Sequence, residues 1–290
     1  MKENIEFKQI RDFEGVISGT LLFIKQNIKA LLKTFFSLCG VFILGGVLSS
    51  VFMQWHILDS SSGYAYGGST LSNIFGWRYW FATLFSILNY TAMCVSILSF
   101  ISLYIAKGNV APTVEEVWSY FKYYFFRLFW SGFLIYILWI ICTVLCLIPG
   151  IYVTPAFSIF FAVMVLENAD FGIAFSRSFA LVKQNWWLTF ATLLVIGIIT
   201  AVCMSVVYAP SYILMMVSTF SGSDLQLLKG YHVFTSISIY IAQVFAIIPL
   251  VAIAFIYFSL AERKESQGLM ERIEEFGNTQ APVVHPDEDY

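Results

Sequence analysis

The chain has 290 residues, 59% of them hydrophobic and 12% charged, with a formal net charge of −2. Soluble domains carry roughly 25% charged residues, so the composition excludes an ordinary soluble domain. A net charge this small says nothing about charged partners, and no nucleic acid is expected as one.

The charges are bunched between long uncharged stretches. A run of about 18 or more apolar residues is long enough to cross the roughly 30 Å hydrocarbon core as a helix. Six spans can be drawn, in chain order Thr34–Phe52, Trp80–Ala106, Leu128–Ile148, Ile151–Leu166, Leu188–Ala209 and Val233–Leu260; the fourth is short, and none contains Asp, Glu, Lys or Arg. Pro149–Gly150 alone separates the third from the fourth. Pro and Gly are strong breakers, so LIPGIYV reads as a tight hairpin turn, with a partly re-entrant segment across 128–166 as the alternative. No signal peptide is expected, because the first apolar run is too long and lacks a small-residue cleavage site behind it. All five cysteines lie inside predicted spans, where thiols behave as small hydrophobes.

Lysine and arginine are distributed unevenly across these spans. One side receives Lys2, Lys8, Arg11, Lys25, Lys29, Lys33, Lys107, Lys122, Arg127, Arg177, Lys183, Arg263, Lys264 and Arg272, the other only Arg78 and Lys229. By the positive-inside rule both termini are expected in the cytoplasm. The first outer loop, with Trp55, Trp77, Tyr79 and Trp80, fits an interfacial aromatic belt.

Two cytoplasmic segments align without a gap: RDFEGVISGTLLFIKQN (Arg11–Asn27) and ADFGIAFSRSFALVKQN (Ala169–Asn185). Asp, Phe, Ser and the phrase Lys-Gln-Asn coincide, and Thr20 falls on Ser178. Phe13, Val16, Ile17, Leu21, Ile24 and Ile28 share the phase of Phe171, Ala174, Phe175, Phe179, Val182 and Trp186. Spacings of three and four mark one face of a helix. A third, weaker segment, APTVEEVWSYFKYYFFRLFW, opens with a capping box at Thr113 and Glu116. The fold expected is therefore an all-α integral membrane protein: three transmembrane hairpins, each preceded by a cytoplasmic amphipathic interfacial helix. One polytopic domain covers 1–261, in units 11–106, 112–166 and 169–261. A cytoplasmic tail covers 262–290, with an apolar stripe of Leu269, Ile273 and Phe276 before an end expected to be disordered.

ENADFGIAFSRSFALVKQNWW resembles the signature of the membrane domain attached to some bacterial glycerophosphodiester phosphodiesterases, which has stand-alone relatives. Glu167, Ala174, Arg177–Ser178, Leu181, Lys183 and Asn185–Trp186 carry the likeness, with LIPGIYV upstream and ERKESQGLMERIEEFG in the tail. The resemblance implies a module of the bacterial cytoplasmic membrane. It implies no catalysis, since the phosphodiesterase reaction belongs to a separate soluble metal-binding barrel.

The residues themselves point the same way. No HExxH, GxSxG, P-loop or GxGxxG pattern occurs, so no enzyme activity, cofactor or metal is expected. His56, Asp59 and Ser60 are triad-type residues, but local adjacency is not how triads are assembled. A metal shared by His56, Asp59, His232 and Asp224 has too few ligands fixed by spacing. The expected partners are membrane lipids, with a membrane-protein partner as a further possibility, and the oligomeric state is open. The candidate site for a lipid headgroup or partner comprises Arg177, Lys183, Lys25, Asn27 and Asn185. Arg177 and Lys183 are its best evidence, since they lie in one surface helix and arginine can engage phosphate bidentately. Asn89 and Gln243 are the most polar residues within the spans, either as interhelical glue or as the lining of a path for a small neutral or lipidic solute. The spans hold no ionisable group of the kind that marks ion-coupled carriers.

Overall fold

The computed structural model describes residues 6–61, 76–220 and 225–278, with side chains described there except at 54–61, 78, 218–219, 225–229 and 267–278. Trp55, His56, Asp59 and Ser60, the Arg78 and Lys229 side chains, Asp224, the Leu269–Ile273–Phe276 stripe and the end of the tail thus lie outside the described residues. Every regular element among those described is helical: α1 (Phe13–Ser61), α2 (Trp77–Ala106), α3 (Val114–Leu145), α4 (Leu147–Leu166), α5 (Phe171–Val182), α6 (Trp186–Phe220), α7 (Leu225–Ala242), a 3-10 turn (Gln243–Ala246) and α8 (Ile247–Asn278). Six helical stretches are long and apolar enough to cross a membrane. Helix is the form such sequences must take, because a bilayer offers backbone groups no water to bond.

Three details differ from the sequence-based expectation. The first concerns Lys-Gln-Asn. In α1 the helix runs unbroken through Lys25–Asn27 into the span, so Arg11–Asn27 is not a separate surface helix. Asn27 is 8% exposed and its Nδ2 donates to the Phe23 carbonyl at 3.1 Å, a local bond that leaves the helix intact. At Lys183–Asn185 the same phrase is a turn. Asn185 N–H donates to Val182 at 3.0 Å, and the Asn185 carbonyl receives Thr189 N–H to start α6. α3, capped by Thr113 and Glu116 in a reciprocal box, also continues without a break from its charged start into its span.

The second concerns LIPGIYV. The chain turns at Cys146, in extended conformation (φ −166°, ψ 136°), and α4 begins at Leu147, so Pro149 and Gly150 occupy its first turn. First-turn N–H groups have no intrahelical partner, so proline loses nothing there. Gly150 permits close approach: a Cβ at this position would lie 3.1 Å from the backbone of Thr143 in α3. The third concerns Val233–Leu260, which is not one regular helix. The 3-10 turn begins at Gln243, and Pro249 sits in the first turn of α8.

The core lies around α8. Residues 250–257 and 259–261 are all buried, packed against α1, α2, α4, α5 and α6. α2 contributes an unbroken buried run from Thr91 to Ile101, and α4 buries Phe160 and Ala162–Val165. The segment before α1 is fixed beneath α8. Phe7 stacks on Phe255 (4.3 Å, 11°), Arg11 N–H donates to Ser259 Oγ at 3.0 Å, and Arg263 donates to the Arg11 carbonyl at 3.0 Å. Elsewhere the helices present apolar side chains outward, as at Val144, Ile148, Val206 and Phe220, the surface a hydrocarbon solvent requires.

Candidate functional site

The signature segment builds a clamp on itself. Glu167 caps the C-terminal end of α4, and Asn168 adopts the left-handed conformation (φ 52°) that turns the chain toward α5. Asparagine tolerates that conformation better than most residues. Asp170 then stands as the N-cap residue of α5. Arg127 of α3 closes the turn from outside, bonding Asn168 Oδ1 at 3.0 Å and Asp170 Oδ1 at 2.5 Å. Inside it, Glu167 Oε1 accepts from Arg177 Nε at 3.1 Å and from the Tyr257 hydroxyl of α8 at 2.7 Å, while Arg177 Nη2 lies 3.9 Å from Glu265.

α5 runs back along α4 as its antiparallel neighbour. Phe171 meets Phe160, Phe175 and Phe179 meet Phe157, and Trp186 reaches Tyr152. Ala174, Ser178, Leu181 and Val182 are buried on this face. The turn at Lys183–Asn185 therefore lies beside the start of α4. Together they line a cavity of about 630 Å³, with Lys183, Gln184, Asn185 and Trp186 on one wall and Ile148 and Ile151 on the other. No carboxylate lines it, so the Lys183 ammonium is not neutralised there.

The described arginines are committed, as are Lys107 on Glu116 and Lys122 over the Trp118 ring, whereas four lysines are not. Each arginine whose side chain is described is committed inside the protein: Arg11 over the Phe255 ring, Arg127 on Asp170, Arg177 on Glu167 and Arg263 on the Arg11 carbonyl. Arg177, one of the two best phosphate-ligand candidates by sequence, is thus paired inside the protein as a brace. Lys25, Lys29, Lys33 and Lys183 are all exposed and make no ion pair or hydrogen bond among the described residues. The first three repeat every fourth residue along one edge of α1, flanked by Leu21, Ile28 and Phe36, each about half exposed. Asn27 is turned inward, and Asn185 acts through its backbone. The structure brings Lys183 and Asn185 together and leaves Lys25 on a different helix.

Asn89 and Gln243 do meet. Asn89 Nδ2 donates to Gln243 Oε1, joining α2 to the 3-10 turn. Asn89 is fully buried, and its Oδ1 has no partner among the described residues; the single bond to Gln243 is of the kind that joins spans as packing glue. Among the described residues no three His, Cys, Asp or Glu side chains gather as metal ligands. The clamp itself was missed by sequence reasoning. Glu167 and Arg177 are separated by a turn and part of a helix, and no local pattern announces Tyr257 as their third member. Comparison with protein-family models, with characterised proteins and with solved structures gave no match.

Proposed function

We propose that the protein is a non-enzymatic module of a bacterial cytoplasmic membrane that holds anionic phospholipid headgroups through exposed lysines. The observation that carries this is the set of free lysines: Lys25, Lys29 and Lys33 in a row on α1, and Lys183 over an uncompensated cavity. Each lysine near an anionic surface contributes about 1 kcal/mol. The apolar neighbours Leu21, Ile28 and Phe36 supply contact with the acyl boundary where α1 enters the membrane. Arg11–Asn27 and Ala169–Asn185 are two versions of one membrane-entering unit. In support, Val16 and Ala174, Thr20 and Ser178, and Phe23 and Leu181 are aligned pairs in which both members are buried. The resemblance to the membrane domain of glycerophosphodiester phosphodiesterases fits a role among envelope lipids.

The test is native mass spectrometry of the full chain released from nanodiscs holding equal phosphatidylglycerol and phosphatidylcholine. Wild type is expected to retain phosphatidylglycerol preferentially, and Lys25→Gln/Lys29→Gln/Lys33→Gln/Lys183→Gln is expected to lose that preference by about tenfold or more. Equal retention of the two lipids by wild type would refute the proposal.

A further inference from the structure

A second cavity, of about 490 Å³, lies between α2, α3 and α4 within three of the membrane-spanning stretches. Its size falls in the range of small-molecule sites, about 300–1,000 Å³. No charged residue lines it. Hydroxyls line it instead: that of Tyr90 is bonded to Cys94, and the others fall into two groups. Thr91, Thr154 and Ser158 each donate to a carbonyl of their own helix, at 2.8–2.9 Å, and Thr154 also accepts from Trp139 Nε1 at 3.3 Å, which leaves one lone pair on Thr154 and two on each of the others. Thr83, Ser86 and Tyr136 have no hydrogen bond to any described residue. Thr83 is half-buried and Ser86 and Tyr136 are exposed; a hydroxyl that faces hydrocarbon without a partner is costly, so a ligand in the cavity that bonds all three would be favoured. Apolar walls complete the site at Leu128, Ile135, Phe157 and Phe161. The cavity is open at the side, where Tyr90 and Tyr136 are 52% and 49% exposed.

We infer that this cavity binds a neutral glycerolipid of the diacylglycerol class, its ester carbonyls accepting from Thr83, Ser86 and Tyr136 and its free hydroxyl donating to Thr154 or Ser158. The absence of charge disfavours a phosphate or ammonium head, which would enter a low-dielectric cavity unpaired. The mixture of unused donors and unused acceptors matches a head carrying both ester and alcohol. The acyl chains leave past Tyr90 and Tyr136 into the bilayer. This site is separate from the lysines and does not depend on them.

The experiment uses proteoliposomes of the full chain containing a diacylglycerol with a diazirine in its acyl chain, or phosphatidylcholine with the same diazirine chain at equal mole fraction. Peptide mapping after illumination is expected to place the diacylglycerol label on α2, α3 and α4 at the lining residues, with the phosphatidylcholine label about tenfold weaker there. Thr83→Val/Ser86→Ala/Tyr136→Phe removes the free hydroxyls without adding bulk. It is expected to reduce the diacylglycerol label by about tenfold, the scale of a few lost hydrogen bonds. Should this variant fail to fold, Ser86→Ala/Tyr136→Phe is the substitute, with the same direction expected. The four-lysine variant is expected to label like wild type, which separates this site from the headgroup site. Equal labelling by the two lipids, or labelling unchanged by loss of the hydroxyls, would mean that bulk acyl chains fill the cavity and would overturn the inference.

Discussion

The Trp186 indole lies flat on the Tyr152 ring, with centroids 5.6 Å apart at 15°, and its Nε1–H donates to the Tyr152 carbonyl at 2.8 Å. This contact joins the start of α4 to the turn at Lys183–Asn185. It holds the α5–α6 junction at one end of α4, while Glu167 and Asp170 hold the other end of α5 at the opposite end of α4. α5 is thus strapped along its neighbour over its whole length.

One consequence concerns sidedness: the contact sets Lys183, expected on the cytoplasmic side, beside the turn between the third and fourth spans, which the same span count places on the other side. Cys146, exposed at the turn before α4, belongs to the same neighbourhood as Lys183. A variant keeping Cys146 as its sole cysteine and a cysteine-free background carrying Lys183→Cys are expected to react with a membrane-impermeant maleimide from the same face of sealed vesicles. Reaction from opposite faces would contradict the Tyr152–Trp186 contact.

Glu167 gathers two donors from distant parts of the chain. Glu167→Gln weakens the bond to Arg177, while its carbonyl still accepts from Tyr257. With the pair about a quarter exposed, the expected loss is about 1–2 kcal/mol. Tyr257→Phe removes one hydrogen bond, about 0.5–1.5 kcal/mol. Because the two changes share a partner, the double variant is expected to lose less than the sum of the single losses. Thermal unfolding in one detergent measures all three.

The Asn89–Gln243 bond is predicted to act as glue between α2 and the 3-10 turn. A double-mutant cycle with Asn89→Leu and Gln243→Leu is expected to give a coupling energy of about 0.6–2 kcal/mol. A coupling indistinguishable from zero would leave the pair without a structural role.

Gly45–Gly46 in α1 explains itself through two neighbours. A Cβ on Gly45 would collide with the Phe85 ring, and one on Gly46 with the buried Tyr240 ring. Gly46→Ala is expected to cost about 1–3 kcal/mol through overpacking. Gly197 has nothing within 4 Å of such a Cβ, so Gly197→Ala is expected to stabilise by up to about 1 kcal/mol through helix propensity. The two melting temperatures, taken together, separate packing from propensity.

The division between sequence and tertiary structure tracks the range of the forces involved. Hydrophobic run length is a property of consecutive residues, so the helical class and the six apolar stretches were legible from composition and spacing alone. The capping box at Thr113 and Glu116 was equally local. The conformation of Lys-Gln-Asn was not, since the same three residues take different backbone paths beside different neighbours. Before Ile28 the helix simply continues, whereas before Trp186 an aromatic contact with Tyr152 stabilises the turn. The position of the turn near Pro149 escapes local reading for a related reason: proline breaks a helix in its interior but is welcome in its first turn. Hardest of all was telling which cations are free. Arg177 and Lys183 look equivalent in one short segment, and only the folding of Glu167 and Glu265 against the first of them decides that Arg177 braces the bundle while Lys183 stays available. Pairing of charges depends on distances between segments far apart in the chain, and those are set by packing.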